Sequence, residues 1–140
     1  MPIVEISKIL HAPMERAFQW CTDYSEGDAS IAKHIRSRRV VRRDANTVYL
    51  EDEPLDPAIP KRRTKVTLRP PDRWLAEFEG SNWQGTGTYI LSRHSEGTKL
   101  TIRLDMKKIQ GDFTPDKLRA RVNDIWERYS AALESEVGVR

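Results

Sequence analysis

The stretch from Thr114 to Val137 constrains this chain more than any other. Leu118, Val122, Ile125, Trp126, Tyr129, Leu133 and Val137 recur mostly at spacings of three and four, which places them on one face of a helix. Thr114 suits the N-cap, Pro115 the first helical position, and Asp116 the positive end of the helix dipole. At 1.5 Å per residue such a helix is about 34 Å long. An apolar stripe of that length needs a matching surface, and the remainder of the chain reads mainly as strands and turns. Only a sheet can supply the surface.

Val4, Ile6 and Leu10 share one parity in a first strand, Ile3 to Leu10. Pro13 then opens a short helix, Met14 to Thr22, with Ala17, Phe18 and Cys21 on its buried face beside Met14 or Trp20. Ala29 to Lys33 reads as a second brief helix. From His34 the period changes to two. Strands are expected at His34–Arg43, Thr47–Glu53, Lys61–Arg69, Arg73–Glu79, Gln84–Arg93 and Thr98–Ile109, separated by Asp44-Ala45-Asn46, a loop with Pro54, Pro57 and Pro60, Pro70-Pro71-Asp72, Gly80-Ser81-Asn82 and Ser95-Glu96-Gly97. Strands joined by turns this short form an antiparallel meander. The expected class is α+β, with seven strands and a long C-terminal helix in one domain spanning residues 1–140.

Charged residues make up 32% of the 140 positions and the formal net charge is +3. No apolar run approaches the roughly 18 residues of a membrane span. The opening Met1-Pro2-Ile3-Val4-Glu5 lacks the layout of a secretory signal, and Cys21 is the only cysteine, so a cytoplasmic setting is expected. Arg36, Arg38, Arg39, Arg42 and Arg43 crowd one strand, but Glu51, Asp52 and Glu53 follow at hairpin distance. With no aromatic interleaving, nucleic acid is a disfavoured partner. Contact with a membrane would be at most transient. His11, His34 and His94 lie far apart without carboxylates or cysteines at ligand spacing, so neither a metal nor another cofactor is expected. Gly85-Thr86-Gly87-Thr88 opens a strand rather than a helix, which argues for close packing or a bulge instead of a phosphate loop.

Val4-Glu5-Ile6-Ser7 running into Ala12-Pro13-Met14-Glu15-Arg16-Ala17-Phe18, with Asp23 after the helix, and the Gly97-Thr98-Lys99-Leu100-Thr101-Ile102 hairpin resemble the START-related lipid-transfer and polyketide-cyclase superfamily. The resemblance covers nearly the whole chain in element order. It departs at Tyr24 to Ala32, where relatives often carry a tryptophan-centred segment. It implies the helix-grip fold, a curved sheet wrapped around the C-terminal helix with a cavity between them. It also implies a hydrophobic small-molecule partner such as a lipid or polyketide, with cyclase or dehydratase chemistry, or a cochaperone-like interaction role, as alternatives.

Inward positions of such a sheet would include Thr64, Val66, Leu68, Trp74, Phe78, Leu100, Ile102, Leu104 and Met106, closed by Trp126 and Tyr129. Candidate ligand-binding residues are therefore Trp74, Phe78, Tyr89, Leu104, Met106, Trp126 and Tyr129, a mix of apolar surface and a few polar atoms. Arg39 joins them. If Val41 faces inward, so do Ser37, Arg39 and Arg43, and if Val40 does, Arg36, Arg38 and Arg42 go with it. A tight hairpin at Ala45-Asn46 would set Val41 opposite Leu50 and Arg39 opposite Asp52, an inward pair that is either a cross-strand ion pair or an anchor for an acidic or hydroxylated head group. In an enzyme, Tyr89 or Tyr129 would give acid–base help and Arg39 would stabilise charge.

Overall fold

The computed structural model describes residues 3–24, 35–55, 58, 61–80, 83–109 and 114–137. Strand β1 (Ile3–Leu10) is followed by helix α1 (Met14–Cys21), then β2 (Ile35–Arg43), β3 (Thr47–Pro54), β4 (Arg62–Arg69), β5 (Arg73–Glu79), β6 (Trp83–His94), β7 (Gly97–Ile109) and helix α2 (Pro115–Glu136). All pairings are antiparallel and the strand order is β1-β7-β6-β5-β4-β3-β2. The meander from β2 to β7 is thus closed by the first strand, which returns to pair with the last, Val4 opposite Leu104 and Ile6 opposite Ile102. The expected second short helix falls outside the described residues.

Apart from β2, whose register shifts, each strand buries one parity, as a half-covered sheet must. On β7, Thr98, Leu100, Ile102, Leu104 and Met106 are buried while Lys99, Arg103 and Asp105 are exposed. On β3, Val48, Leu50, Asp52 and Pro54 alternate with half-buried neighbours. The Pro70–Pro71 peptide is cis in the turn between β4 and β5.

Helix α2 begins as its sequence requires. Thr114 caps it by accepting a hydrogen bond from the Lys117 amide at 3.2 Å, and Pro115 occupies the first turn. The helix lies closest to β1. There Leu133, Ser130 and Glu134 are buried, Lys8 meets Glu127, and the Glu134 carboxylate accepts from the His11 amide at 3.1 Å. At the other end Leu118 is completely buried. Between these anchors Val122, Ile125, Trp126 and Tyr129 are only partly buried. The stripe therefore touches tightly packed core at its ends and something less filled at its centre.

The β6 glycines behave as structural pieces. A register shift separates Gln84 from Gly85, and a Cβ at Gly85 would overlap the Asp105 carbonyl oxygen and lie 2.7 Å from the Met106 Cα. Gly85→Ala should destabilise the protein by roughly 2 kcal/mol or more, whereas Thr86→Ala on the exposed face should stay within about 0.5 kcal/mol. Urea denaturation midpoints compare the two directly.

Candidate functional site

Beneath the centre of α2 the sheet is hollow, leaving a cavity of about 170 Å³. Side-chain size explains it. Ala76 on β5 pairs with Gly87 on β6, and Phe78 pairs with Gly85, so the middle of the inner face carries little bulk. Val66, Ala76 and Leu104 form the floor, with Thr64 and Leu50 beside them.

The walls are aromatic. Trp74 and Tyr89, cross-strand partners, stack at 5.1 Å with their planes 4° apart. Tyr89 reaches Trp126 of α2 at 6.3 Å, Trp126 meets Tyr129 edge-on at 5.1 Å, and Tyr129 meets Trp20 of α1 at 5.8 Å. Phe78 and Trp83 lie 5.7 Å apart on the opposite side. Edge-on and offset contacts of this kind orient rings beyond what area burial achieves. All four tryptophans of the chain line the cavity.

One end of the cavity is charged. Arg38, Asp52, Arg62 and Arg121 line it. Arg38 holds Asp52 in a two-pronged pair, Nε to Oδ1 at 2.8 Å and Nη2 to Oδ2 at 2.9 Å, and both side chains are nearly buried. The guanidinium of Arg38 also sits 5.9 Å from the centre of the Tyr24 ring. Tyr24 turns into the cavity from a left-handed backbone, φ 39°. Arg62 packs on the Trp83 ring at 5.2 Å.

Burial governs the phenols. It pushes the Tyr24 hydroxyl well above the usual tyrosine range, helped by Tyr89 and opposed by Arg38. Tyr89 is pushed up likewise, first by burial and then by Tyr129. Both stay protonated near neutral pH.

Six of the eight expected residues meet around this space: Trp74, Phe78, Tyr89, Leu104, Trp126 and Tyr129. Met106 does not line it. It is fully buried opposite Gly85, filling core where the missing glycine side chain leaves room. Arg39 must be corrected. Near the turn the hairpin keeps the expected register, Arg42 opposite Tyr49, but a bulge at Val41 then adds a residue to β2, setting Val40 opposite Leu50 and Arg38 opposite Asp52. Ser37 to Val40 therefore change face, until a second shift between Ile35 and Ser37 returns Ile35 to the buried side. Arg39 points outward to Glu51 at 3.3 Å, and Arg38 takes the inward place. Arg62 was available from parity with Thr64 and Val66, and Trp83 from parity with Tyr89. Tyr24 and Arg121 carried no such signal, one in an apparent turn and the other on the polar side of the helical stripe.

No protein-family model matches the sequence, and no curated protein matches it. Solved structures do. A START superfamily protein from Mycobacterium smegmatis aligns over 96% of each chain with a TM-score of 0.66 at 14% identity. The Zhui aromatase/cyclase from a Streptomyces species aligns over 99% of this chain and 95% of its own, with a TM-score of 0.61 at 18% identity. The di-domain aromatase/cyclase StfQ of the steffimycin biosynthetic pathway gives 0.73 at 14% identity, this chain spanning 53% of its length. The fold is that of the START-related proteins. In this helix-grip framework the cavity lies between the gripping sheet and the helix. Among the described residues no group of His, Cys, Asp or Glu is placed to hold a metal ion. None of the described helices is long and apolar enough to cross a membrane.

The Arg38–Asp52 pair is well removed from solvent, so removing one charge strands the other. Asp52→Asn should cost about 3 kcal/mol in denaturation experiments, against less than about 1 kcal/mol for Arg42→Gln at the exposed Arg42–Asp44 pair. The raised phenols make a second prediction. The unfolded chain releases tyrosine protons near the ordinary value of about 10, before the folded chain does, so stability is full below that pH and falls as pH rises through and beyond it. Ultraviolet titration should show Tyr24 and Tyr89 ionising at a higher pH in the folded protein than the tyrosines of the unfolded chain.

Proposed function

We propose that the protein binds a hydrophobic small molecule in the cavity under α2, and that it belongs with the START-related proteins in function as well as fold. The observation that carries this is the burial profile of α2. A helix recruited only to close a core would be most buried at its centre. This one is buried at Leu118 and Leu133 and spans an aromatic-walled hollow between them. The cavity volume is close to the roughly 150 Å³ of an engineered apolar cavity that takes up benzene, so it accommodates a guest of ring size, or the ring-sized part of a larger one.

A carrier or binding role fits the chemistry better than catalysis. The names of StfQ and Zhui suggest a cyclase, and such an enzyme needs a base titrating near its working pH. Tyr24 and Tyr89 are shifted away from that range, and Asp52, the only carboxylate among the described lining residues, is held by Arg38 through both oxygens.

The test is titration with the neutral fluorophore N-phenylnaphthylamine. Saturable one-to-one binding is expected, weakened about tenfold or more by Trp126→Ala because a stacked ring is worth a comparable factor. The absence of saturable binding to the folded protein, or unchanged affinity in a folded Trp126→Ala variant, would sink the proposal.

A further inference from the structure

Resting on the cavity reading, we infer that the guest is an aromatic carboxylate whose anionic head is received by Arg62. The Nε of Arg62 is buried, and no acceptor among the described residues reaches it. An arginine cannot shed its proton in a protein, so this N–H is a permanent donor on a side chain that lines the cavity. Native structures seldom leave such a group without a partner, and each exception asks for a ligand, an ion or water at that place.

The obvious internal partner is already engaged. Asp52 lies directly across the ladder from Arg62, but Arg38 occupies both of its oxygens at 2.8 and 2.9 Å. Arg121 faces the same space from α2. The charged groups on the lining are therefore three arginines against one aspartate. Burial lowers the proton affinity of Arg62, the nearby charge of Arg121 lowers it further, and Asp52 offsets only part of this. A cation at the end of an apolar pocket with a buried N–H left unpartnered is stabilised by an anion placed beside it.

The rest of the wall defines the body of that anion. Trp74 and Tyr89 present stacked faces and Trp126 closes over them, a setting for one flat ring system. The planar guanidinium matches a carboxylate in a fork, which a neutral amide of the same shape cannot reproduce.

Because every tryptophan lines the cavity, quenching of intrinsic fluorescence reports occupancy. Naphthoate and its neutral isostere naphthamide differ only at the head. At pH 7 the protein should bind naphthoate at least about tenfold more tightly than naphthamide, the advantage of a charge-assisted pair over a neutral one. Arg62→Gln should erase that ratio while leaving naphthamide affinity within about threefold, and Arg121→Gln should reduce the ratio by a smaller factor. If Arg62→Gln does not fold, Arg62→Lys, which keeps the charge and loses the fork, must still lower the ratio.

Equal affinity for the two probes overturns the head-group assignment and leaves the cavity standing. So does failure of both to bind a protein that still binds N-phenylnaphthylamine. A ratio unchanged in a folded Arg62 variant removes Arg62 from the role. Failure of all three probes overturns the cavity reading itself.

Discussion

A helix lying on a sheet normally gains most from burying its middle, where neighbours surround it on all sides. In this protein α2 is fastened at its ends instead. Leu118 is sealed at one end, while Ser130, Leu133 and Glu134 are packed against β1 at the other. The hydrophobic return from the central stripe is smaller than its composition allows, since Val122, Ile125, Trp126 and Tyr129 keep part of their surface uncovered. The aromatic contacts, the raised phenols and the unpartnered Nε of Arg62 all belong to side chains that border the unfilled space.

The sheet cooperates by being thin where the helix bridges it. Small residues on adjacent strands, Ala76 and Gly87, create the hollow, and large rings on either side keep it from collapsing. The charged end is built on the same ladder. Alternation on β3 brings Asp52 inward, alternation on β4 brings Arg62 inward beside it, and the bulged β2 supplies Arg38. The one carboxylate at this end is held by Arg38 and does not satisfy the Nε of Arg62 beside it.

Much of this was legible in the sequence, and the failures have physical causes. The strands, their turns and the capped helix follow from periodicity and from Pro, Gly and Asn positions, and the turn between β2 and β3 keeps the expected register near Ala45-Asn46. The error begins at Val41. A bulge inserts one residue into a ladder whose side chains alternate with period two, so a local irregularity reverses the assignments beyond it, here as far as the second shift beside Ile35. Sequence could not flag it, because arginine occupies both parities of β2. All five arginines find partners within the chain: Arg36 with Glu53, Arg38 with Asp52, Arg39 with Glu51, Arg42 with Asp44, and Arg43 with the Asp23 carbonyl. The basic stretch is largely a hairpin laced by ion pairs. Met106 failed differently, since parity placed it on the inner face correctly but could not say that Gly85 would let it sink into packed core.

The corner opposite the cavity carries a consequence for how the molecule comes together. Thr98 donates to the Ala12 carbonyl across 86 positions of sequence, and Glu134 accepts from His11 across 123. Gly97 is pressed against the Leu10 carbonyl and Ala12 so closely that no larger residue fits. The first strand has no partner until β7 exists, and α2 has no seat until β1 has paired. Contacts this distant bear a heavy loop-closure cost before they return anything, so folding should be slow for the size of the chain. During synthesis the meander can assemble early, but its apolar inner face stays open to solvent until the final helix arrives. The hollow that would hold a guest is thus the last part of the structure to be enclosed, and a molecule already lying on the sheet at that moment would be trapped as the chain closes over it.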